Sequence, residues 1–221
     1  MTERIICIVI GYIFGLFQTG YIYGKLNHVD IRDFGSGNAG TTNAMRVLGK
    51  KAGIVTYIGD CVKAVLAILL ICLIYKNETS GDLFILKLYG GLGVVLGHNF
   101  PFYMKFKGGK GIAASSGVIL GLWDFKLSVI ALITFVLVTV LTKYVSVGSL
   151  AMMAGFFIEF IIFNELNILG FRNNMKYSGN GRIEVYILVF IISALAFVKH
   201  SANIKRLIDG NERKIGQKKE I

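Results

Sequence analysis

The fold class is decided by one uninterrupted apolar stretch near the middle of the chain, LSVIALITFVLVTVLT, which occupies residues 127–142. Its apolar residues are continuous and carry no charge, which is typical of a membrane-spanning α-helix rather than of the alternating strands of a membrane β-barrel. Outward from it, comparable stretches occupy residues 5–23, 54–75, 83–103, 112–123, 145–163 and 185–198. The sequence therefore predicts an all-α polytopic membrane protein with about seven transmembrane helices.

The composition supports this class and excludes others. The chain has 221 residues, of which 54% are hydrophobic, and its formal net charge is +11. Soluble domains and nucleic-acid binders are less apolar, and disordered chains lack this apolar and aromatic content. A single proline and 27 glycines without a fixed period exclude collagen-like sequences. One membrane domain over residues 1–221 is expected, with a cytoplasmic juxtamembrane tail over residues 199–221.

Basic residues between the stretches predict the orientation. Most of them follow the first, third, fifth and seventh stretches. Because lysine and arginine are enriched on the cytoplasmic side, the N-terminus is expected outside and the C-terminus inside. The stretch at 112–123 is short against the ~20 helical residues that a bilayer needs. Five spans would also fit if this stretch and a neighbour were merged or re-entrant. The sequence also leaves the exact number of spans open near the segment 164–184.

The first polar block is GSGNAGTTNAMR, residues 35–46. Its glycines let the backbone turn tightly and bring N–H groups close to a ligand. Thr41, Thr42 and Asn43 are predicted to cap a helix that runs through Arg46 and ends at Gly49. A helix N-terminus beside a glycine-rich turn is typical of an anion-binding site.

The second polar block is GHNFPFYMKFKGGKG, residues 97–111. In its GGKG core, backbone N–H groups can surround phosphate oxygens while Lys110 supplies positive charge. The block is not a Walker A loop, because Met104 stands where that motif needs glycine and Gly111 where it needs serine or threonine. ATP or GTP hydrolysis is therefore not implied.

Two further polar features accompany these blocks. After the last stretch, His200, Asn203 and Arg206 would share one face of a helix, although such a basic helix taken alone is more typical of headgroup binding. Within the second stretch, Asp60 and Lys63 lie three residues apart near a membrane boundary. Charges there are costly unless paired or functional, so the sequence predicts a structural ion pair near the site.

Taken together, the blocks resemble the bacterial acyl-phosphate:glycerol-3-phosphate acyltransferases of the PlsY type. The resemblance rests on residues 35–46, 97–101, 106–111 and 143–149, and on the ordered series His200, Asn203, Arg206, Gly210 and Glu212. Order and spacing match over nearly the whole chain. The departure is the segment 164–183, which is longer and more polar than the family leads us to expect.

The resemblance implies a reaction and a setting. A fatty acyl group would move from acyl-phosphate to the 1-hydroxyl of glycerol-3-phosphate, giving lysophosphatidate and inorganic phosphate for phospholipid synthesis. The enzyme would lie in the bacterial inner membrane with its active site facing the cytoplasm, and would act as a monomer on these two substrates. No cofactor, metal or nucleic acid is expected.

The same reading assigns the candidate site residues. The candidate catalytic residues are Ser36, Arg46, His98, Lys110 and His200. The candidate substrate-binding residues are Asn38, Thr41, Thr42, Asn43, Lys107, Gly108, Gly109, Gly111, Ser146, Asn203 and Arg206. Either His98 or His200 could orient the hydroxyl or act as a base, and a substrate phosphate is the third candidate for the proton. Glu212 is expected to pair with a basic residue.

Two other classes of function remain open to the sequence. A transporter for an anionic solute would place its polar sites near the bilayer midplane, often in two related halves. A non-enzymatic lipid-binding scaffold would need the basic tail but not the ordered glycine-rich blocks. Here the polar blocks cluster at one predicted surface without a convincing repeat, which favours the enzyme.

Overall fold

The computed structural model describes residues 1–166 and 180–217, and this part of the chain contains helices and no strand. In chain order the α-helices are α1 (Thr2–Gly15), α2 (Thr19–Leu26), α3 (Thr41–Leu48), α4 (Lys50–Ile74), α5 (Ser80–Asn99), α6 (Ile112–Gly121), α7 (Phe125–Thr142), α8 (Val145–Glu165), α9 (Gly181–Lys199) and α10 (Ser201–Ile208). Two short 3₁₀ turns, Ile31–Asp33 and Phe102–Met104, lie in the connections. The predicted all-α class is confirmed.

Six helical segments of the described chain are long and apolar enough to cross a membrane. They are Thr2–Leu26, Lys50–Ile74, Ser80–Met104, Phe125–Thr142, Val145–Glu165 and Gly181–Lys199. Their outward faces are apolar, as Leu132, Leu137 and Leu141 on α7 illustrate by their exposure, and such a continuous apolar surface suits lipid rather than water. The helix α6 is only ~15 Å long at 1.5 Å per residue, so the count of seven stays a prediction.

The first span is broken, whereas the sequence led us to expect one continuous stretch over residues 5–23. The helix α1 ends at Gly15 and α2 begins at Thr19. The break leaves backbone carbonyls without helical partners, which is costly inside a bilayer. Here the ammonium of Lys63 donates to the carbonyl of Phe17 at 2.5 Å, and the side-chain amide of Gln18 donates to the carbonyl of Gly15 at 3.2 Å.

Glycines allow α1 and α5 to pack at close range. A Cβ atom at Gly11 would overlap the carbonyl oxygen of Gly90, and one at Gly15 would overlap that of Val94. From the other side, a Cβ atom at Gly97 would overlap the carbonyl oxygen of Tyr12. Small residues spaced in this way let helix backbones touch in membranes, where packing rather than hydrophobicity drives association.

The main core lies between α4, α5, α6, α7, α8 and α9. Its largest fully buried side chains include Phe156 and Phe160 on α8. The ring of Phe160 stacks on Phe84 of α5, with centroids 5.9 Å apart. Because these helices pack around one apolar cluster, the loops at their ends are held at fixed positions relative to one another.

The bundle has two ends, which we name after residues. At the Arg4 end, a guanidinium nitrogen of Arg4 in α1 lies 2.9 Å from a carboxylate oxygen of Glu184 in α9. At the Lys110 end, Lys110 contacts Asn203 of α10, just beyond the end of α9. The helices α1 and α9 therefore both run from the Arg4 end to the Lys110 end.

The short helix α6 runs parallel to α4. Its Gly117 packs against Cys61 and Ala64 of α4, and its Gly121 packs one turn further along against Ile68. Both α4 and α6 begin at the Lys110 end. The helix α6 therefore runs into the bundle from that end, and α7 leads the chain back.

Parts of two sequence predictions lie outside the described residues. Residues 167–179 carry most of the polar segment predicted over 164–183, and residues 218–221 include the basic Lys218 and Lys219 of the tail.

A substitution at Gly11 tests the close contact between α1 and α5. We expect Gly11→Ala to destabilise the protein by about 1–3 kcal/mol, the usual cost of overpacking, because its Cβ atom has no space beside Gly90. Thermal unfolding of the purified protein in detergent measures the change.

The matched control is Gly155→Ala in α8, where the nearest atoms belong to the flexible side chains of Glu159 and Thr134. Alanine there should be neutral or stabilising by about 0.5–1 kcal/mol. Equal stability of the Gly11 variant and the unmodified protein would contradict the described packing.

Candidate functional site

Four separate segments meet at the Lys110 end of the bundle. The side-chain amide of Asn38 reaches the carbonyl oxygen of Gly108 at 3.5 Å, which joins the two glycine-rich blocks. Lys110 bonds to α10, and Ser146 at the start of α8 bonds to Glu212 in the tail. The two polar blocks, the segment around Asn203 that follows α9, and the segment 143–149 thus form one site.

The first glycine-rich loop is organised by Asn43, which is almost fully buried. Its carboxamide oxygen accepts a hydrogen bond from the backbone N–H of Ser36, and its amide group donates to the carbonyls of Ile31 and Phe34. Gly35 has a φ of +66° and packs directly on the Asn43 oxygen, so a side chain there would overlap it. Asn43 therefore shapes the loop, and its polar atoms are committed to the loop backbone.

The helix α3 follows this loop and ends at Leu48 before Gly49, as predicted, but its cap differs from the prediction. The N-cap is Gly40 and no side chain caps the helix. Thr41 and Thr42 already lie inside the first turn, where they cannot accept from the free N–H groups as a cap does. Asn38 instead bonds to the N–H of Gly40, at 2.9 Å. The first N–H groups of α3 are thereby left for another acceptor.

The second glycine-rich loop packs tightly against the end of α5. The backbone N–H of Gly109 donates to the carbonyl of His98, and a Cβ atom at Gly109 would overlap the Nε2 atom of the same histidine. Gly108 has equally little space, against the His98 carbonyl. Gly111 has a φ of +86° and is the N-cap of α6. Each glycine of this loop is thus required, either because a side chain would have no room or because the backbone has a positive φ.

A chain of short hydrogen bonds links the polar side chains of the site. Lys110 Nζ lies 2.5 Å from Asn203 Oδ1, and Asn203 Nδ2 lies 2.6 Å from a carboxylate oxygen of Glu212. Glu212 also accepts from Ser146 at 2.9 Å and pairs with Arg206 at 2.7 Å. The predicted pairing of Glu212 with a basic residue is confirmed.

The charged groups of the site and their burial shift one another's pKa values. Burial, opposed by the charge of Glu212, lowers the pKa of Lys110 to about 8. Burial works to raise the pKa of Glu212, but hydrogen bonds from Asn203, Arg206 and Ser146 hold it below its usual value. Desolvation and the neighbouring charge of Arg213 lower the pKa of Arg46. The site is a strongly cationic cluster in which Lys110 and Arg46 are partly dehydrated, which is typical of phosphate recognition.

The two candidate histidines both lie near the second loop, His98 against Gly109 and His200 close enough to Lys110 for their charges to interact. His98 belongs to α5, and its Nδ1 atom lies 2.8 Å from Lys63 Nζ. His200 follows α9 and its Nδ1 atom lies 2.7 Å from the carbonyl of Ala196. Burial and the charge of Lys110 lower the pKa of His200 to about 4. His200 is therefore neutral at physiological pH.

Two predicted site residues are peripheral. Lys107 is exposed, and within residues 1–166 and 180–217 its side chain makes no hydrogen bond or ion pair. The Ser36 side chain is likewise exposed and contributes only its backbone N–H to the loop. Both face outward from the hydrogen-bonded cluster.

Sequence reasoning missed some contributors to the site. Gln18, at the break between α1 and α2, donates to the carbonyl of His98 at 3.0 Å. Glu212 was expected to form one pair, yet it holds three side chains together. Asn99 is fully buried beside Gly111. Gln18 and Asn99 are polar residues inside the apolar stretches 5–23 and 83–103, and that position is their signal in the sequence.

Fold and site together define an integral membrane protein of helices with a cationic site between two glycine-rich loops at one end of the bundle. The family model for glycerol-3-phosphate acyltransferase matches residues 5–210. The chain belongs to the glycerol-3-phosphate acyltransferase family of the PlsY type, and the resemblance stated from the motifs is confirmed.

Individual relatives agree with this assignment. Glycerol-3-phosphate acyltransferases of Macrococcus caseolyticus and Clostridioides difficile are 41% and 39% identical, over 96% and 98% of this chain and 97% of each relative. The crystal structure of PlsY (YgiH), an integral membrane glycerol 3-phosphate acyltransferase in its glycerol 3-phosphate form, has a TM-score of 0.80 at 28% identity, with 96% of each chain covered. Its lysophosphatidic acid form has a TM-score of 0.78.

The lowered pKa of Lys110 predicts a pH dependence. An ammonium with a pKa of about 8 is charged below that pH and loses its charge above it. A phosphomonoester keeps its charge there, since its second pKa is about 6. We expect kcat/KM for glycerol-3-phosphate, which reports the free enzyme, to fall about tenfold from pH 7 to pH 9.

The control is Lys110→Arg, because a guanidinium stays charged throughout this range. Its absolute rate is lower if the geometry suffers, but its profile should be flat between pH 7 and pH 9. A fall of the same size in both proteins would show that another group causes the pH dependence.

Proposed function

We propose that this enzyme transfers a fatty acyl group from acyl-phosphate to the 1-hydroxyl of glycerol-3-phosphate. The observation that carries the proposal is the joining of two glycine-rich loops, through Asn38 and Gly108, beside the cations Lys110, Arg46 and Arg206. Two phosphate-bearing substrates need two anion sites within reach of one carbonyl carbon. The solved glycerol 3-phosphate and lysophosphatidic acid forms of PlsY support this acceptor and this product.

The proposed chemistry balances without a cofactor or a covalent enzyme intermediate. The hydroxyl oxygen of glycerol-3-phosphate attacks the acyl carbon, and the bond from that carbon to the phosphate oxygen breaks. The hydroxyl proton ends on the departing phosphate, so the products are lysophosphatidate and inorganic phosphate. Because acyl-phosphate is a mixed anhydride with a good leaving group, positioning and charge stabilisation can supply much of the rate.

The roles of the residues follow from their places. We assign one phosphate and the developing carbonyl charge to the first loop, with the start of α3 and Arg46. The other phosphate is assigned to the second loop and Lys110. Arg206 uses its Nε for Glu212, which leaves its outer nitrogens to bind glycerol-3-phosphate together with His200 and Asn203.

An apolar cavity offers a place for the acyl chain. It is lined by residues of α4, α6, α7 and α8, namely Tyr57, Ile112, Ser116, Ile119, Leu120, Ser128, Ala131, Leu132, Phe135 and Met152. Ile112 directly follows Gly111, so the cavity begins next to the second loop. An acyl chain whose carbonyl lies between the two loops could extend along α6 toward the lipid-facing side of α7.

The direction of the helices supports the proposed topology. The start of α1 lies at the Arg4 end and the tail lies at the Lys110 end. If α6 counts as a short seventh crossing, the chain traverses the bundle an odd number of times. We propose that the Lys110 end faces the cytoplasm of a bacterial cell, as the distribution of basic residues favours, with the N-terminus outside.

A transporter of anionic solutes is the second candidate. It would need polar sites near the bilayer midplane, whereas the network around Glu212 lies where α8 begins and α9 ends. That position is better suited to a soluble and a lipid substrate that meet at the membrane surface.

An activity assay separates the two candidates. Purified protein is incubated with palmitoyl phosphate and glycerol-3-phosphate, and lysophosphatidate and phosphate are measured. We expect turnover that falls more than about 100-fold in Lys110→Ala and in Arg46→Ala, because each removes a charge from the phosphate sites.

The matched control is Lys51→Ala, which removes an exposed lysine from the first turn of α4 at the same end of the bundle. It should turn over normally. Normal rates in both site variants would refute the phosphate assignment, and flux into proteoliposomes without turnover would favour the transporter.

A change inside the cavity tests the acyl assignment. We expect Ser116→Leu to raise the KM for palmitoyl phosphate by about tenfold, since lost acyl burial costs about 0.8 kcal/mol per CH₂, and to affect octanoyl phosphate much less. The control is Ile133→Phe, which adds bulk on the exposed side of α7. An equal effect of Ser116→Leu on both donors would remove the acyl chain from this cavity.

A further inference from the structure

A buried ion pair lies directly beneath the site. Asp60 and Lys63 of α4 are 1% and 4% exposed, and their charged atoms lie 2.9 Å apart. Lys63 Nζ also lies 2.8 Å from Nδ1 of His98, which is itself 2% exposed. The predicted ion pair is confirmed, and its lysine also contacts a candidate catalytic histidine.

The hydrogen-bond capacity of Lys63 fixes the direction of its bond to His98. An ammonium group has three donors and no acceptor. The three shortest contacts of Lys63 Nζ are to the Phe17 carbonyl, His98 Nδ1 and Asp60, at 2.5, 2.8 and 2.9 Å. Because the lysine can only donate, Nδ1 of His98 must be the acceptor and carries no proton.

The ionic state of Lys63 is itself supported by its partners. Asp60 accepts from Thr19 at 3.1 Å as well as from Lys63, as a carboxylate does. A charged lysine beside a carboxylate and two backbone carbonyls is compensated although it is buried. The pair thus persists as an ion pair in the apolar interior.

The remaining nitrogen of His98 faces the second glycine-rich loop. A neutral imidazole whose Nδ1 accepts carries its proton on Nε2. That atom lies against Gly109, at the position where a Cβ atom would overlap it. Within the described chain Nε2 has no hydrogen-bond partner of its own. The Nε2–H group is therefore free to donate to a ligand held by the loop.

We propose that Asp60 and Lys63 are positioning residues that hold His98 with its proton on Nε2, so that His98 serves as a hydrogen-bond donor to a substrate oxygen bound at the loop of residues 108–111 and not as the base. The donor role rests on the function proposed above, whereas the tautomer does not. The proposal leaves the hydroxyl proton to another acceptor, such as a substrate phosphate.

His200 provides a contrast within the same protein. Its Nδ1 atom faces the carbonyl of Ala196, which can only accept. His200 must therefore carry its proton on Nδ1, so the two histidines of the site are held as opposite tautomers by their neighbours.

Nitrogen NMR tests the tautomer without any need for turnover. The full-length protein, labelled with ¹⁵N-histidine in detergent micelles, has only three histidines, and His28→Gln and His98→Gln assign the signals. We expect an unprotonated Nδ1 and a protonated Nε2 for His98, with the reverse for His200. A proton on Nδ1 of His98, alone or together with Nε2, would overturn the proposal.

A double-mutant cycle tests the positioning role. The pair is removed as Asp60→Asn with Lys63→Met, so that no lone buried charge remains. His98→Gln keeps an N–H donor near the place of Nε2 but offers Lys63 no ring nitrogen. We expect loss of the pair to lower kcat about 10–100-fold, the usual effect of removing a supporting partner, when His98 is present. In the His98→Gln background it should lower kcat less than about threefold.

The matched control is Gln18→Met, which removes bonds to the carbonyls of Gly15 and His98 at the same helix break but leaves the ring untouched. Its cost should be equal in both backgrounds, because the backbone carbonyl of residue 98 to which Gln18 donates is present in both. Equal losses from the Asp60 and Lys63 change in both backgrounds would show a purely structural pair. If that variant does not fold, the NMR result on the unmodified protein decides. Absence of turnover in every protein would refute the proposed function and leave the tautomer to NMR.

Discussion

The hydrogen bonds of Lys63 are the interaction on which fold and site both depend. Inside a bilayer a helix cannot be interrupted unless its free carbonyls find donors. At the break between α1 and α2, Lys63 donates to the carbonyl of Phe17 while Gln18 donates to that of Gly15, and the same ammonium donates to the His98 ring. The break that turns the chain into the first glycine-rich loop is therefore stabilised by the group that orients a site histidine.

Glycine connects this interaction to the rest of the bundle. The close contact of α1 with α5 brings Gly15 against Gly97 and the backbone of His98, which places the carbonyls of α1 within reach of Lys63. On its other side, His98 is covered by Gly108 and Gly109. Larger residues at either surface would displace the histidine from the lysine or the loop from the histidine, so these glycines determine the geometry of the site as well as its packing.

Hydropathy is a local property, and for that reason the sequence predicted the helices well. The stretch at 127–142 corresponds to α7, and Gly49 ends α3 as expected. The break at residues 16–18 could not be predicted, because it depends on a donor from α4. The ordered motifs also indicated which loops form the site. The threefold role of Glu212 escaped prediction, since its partners lie on α8 and α10, far apart along the chain.

The site carries more positive than negative charge, and this imbalance favours the binding of an anionic substrate. The charge of Lys110 interacts with those of Arg206 and Arg46, and the charge of Arg46 interacts with that of Arg213, so four cations lie near the carboxylate of Glu212. One carboxylate fixes the positions of Asn203 and Arg206 but cannot neutralise four charges. A dianionic phosphate would supply the missing compensation, and because Lys110 and Arg46 are already partly dehydrated, their attraction to it is stronger than in water.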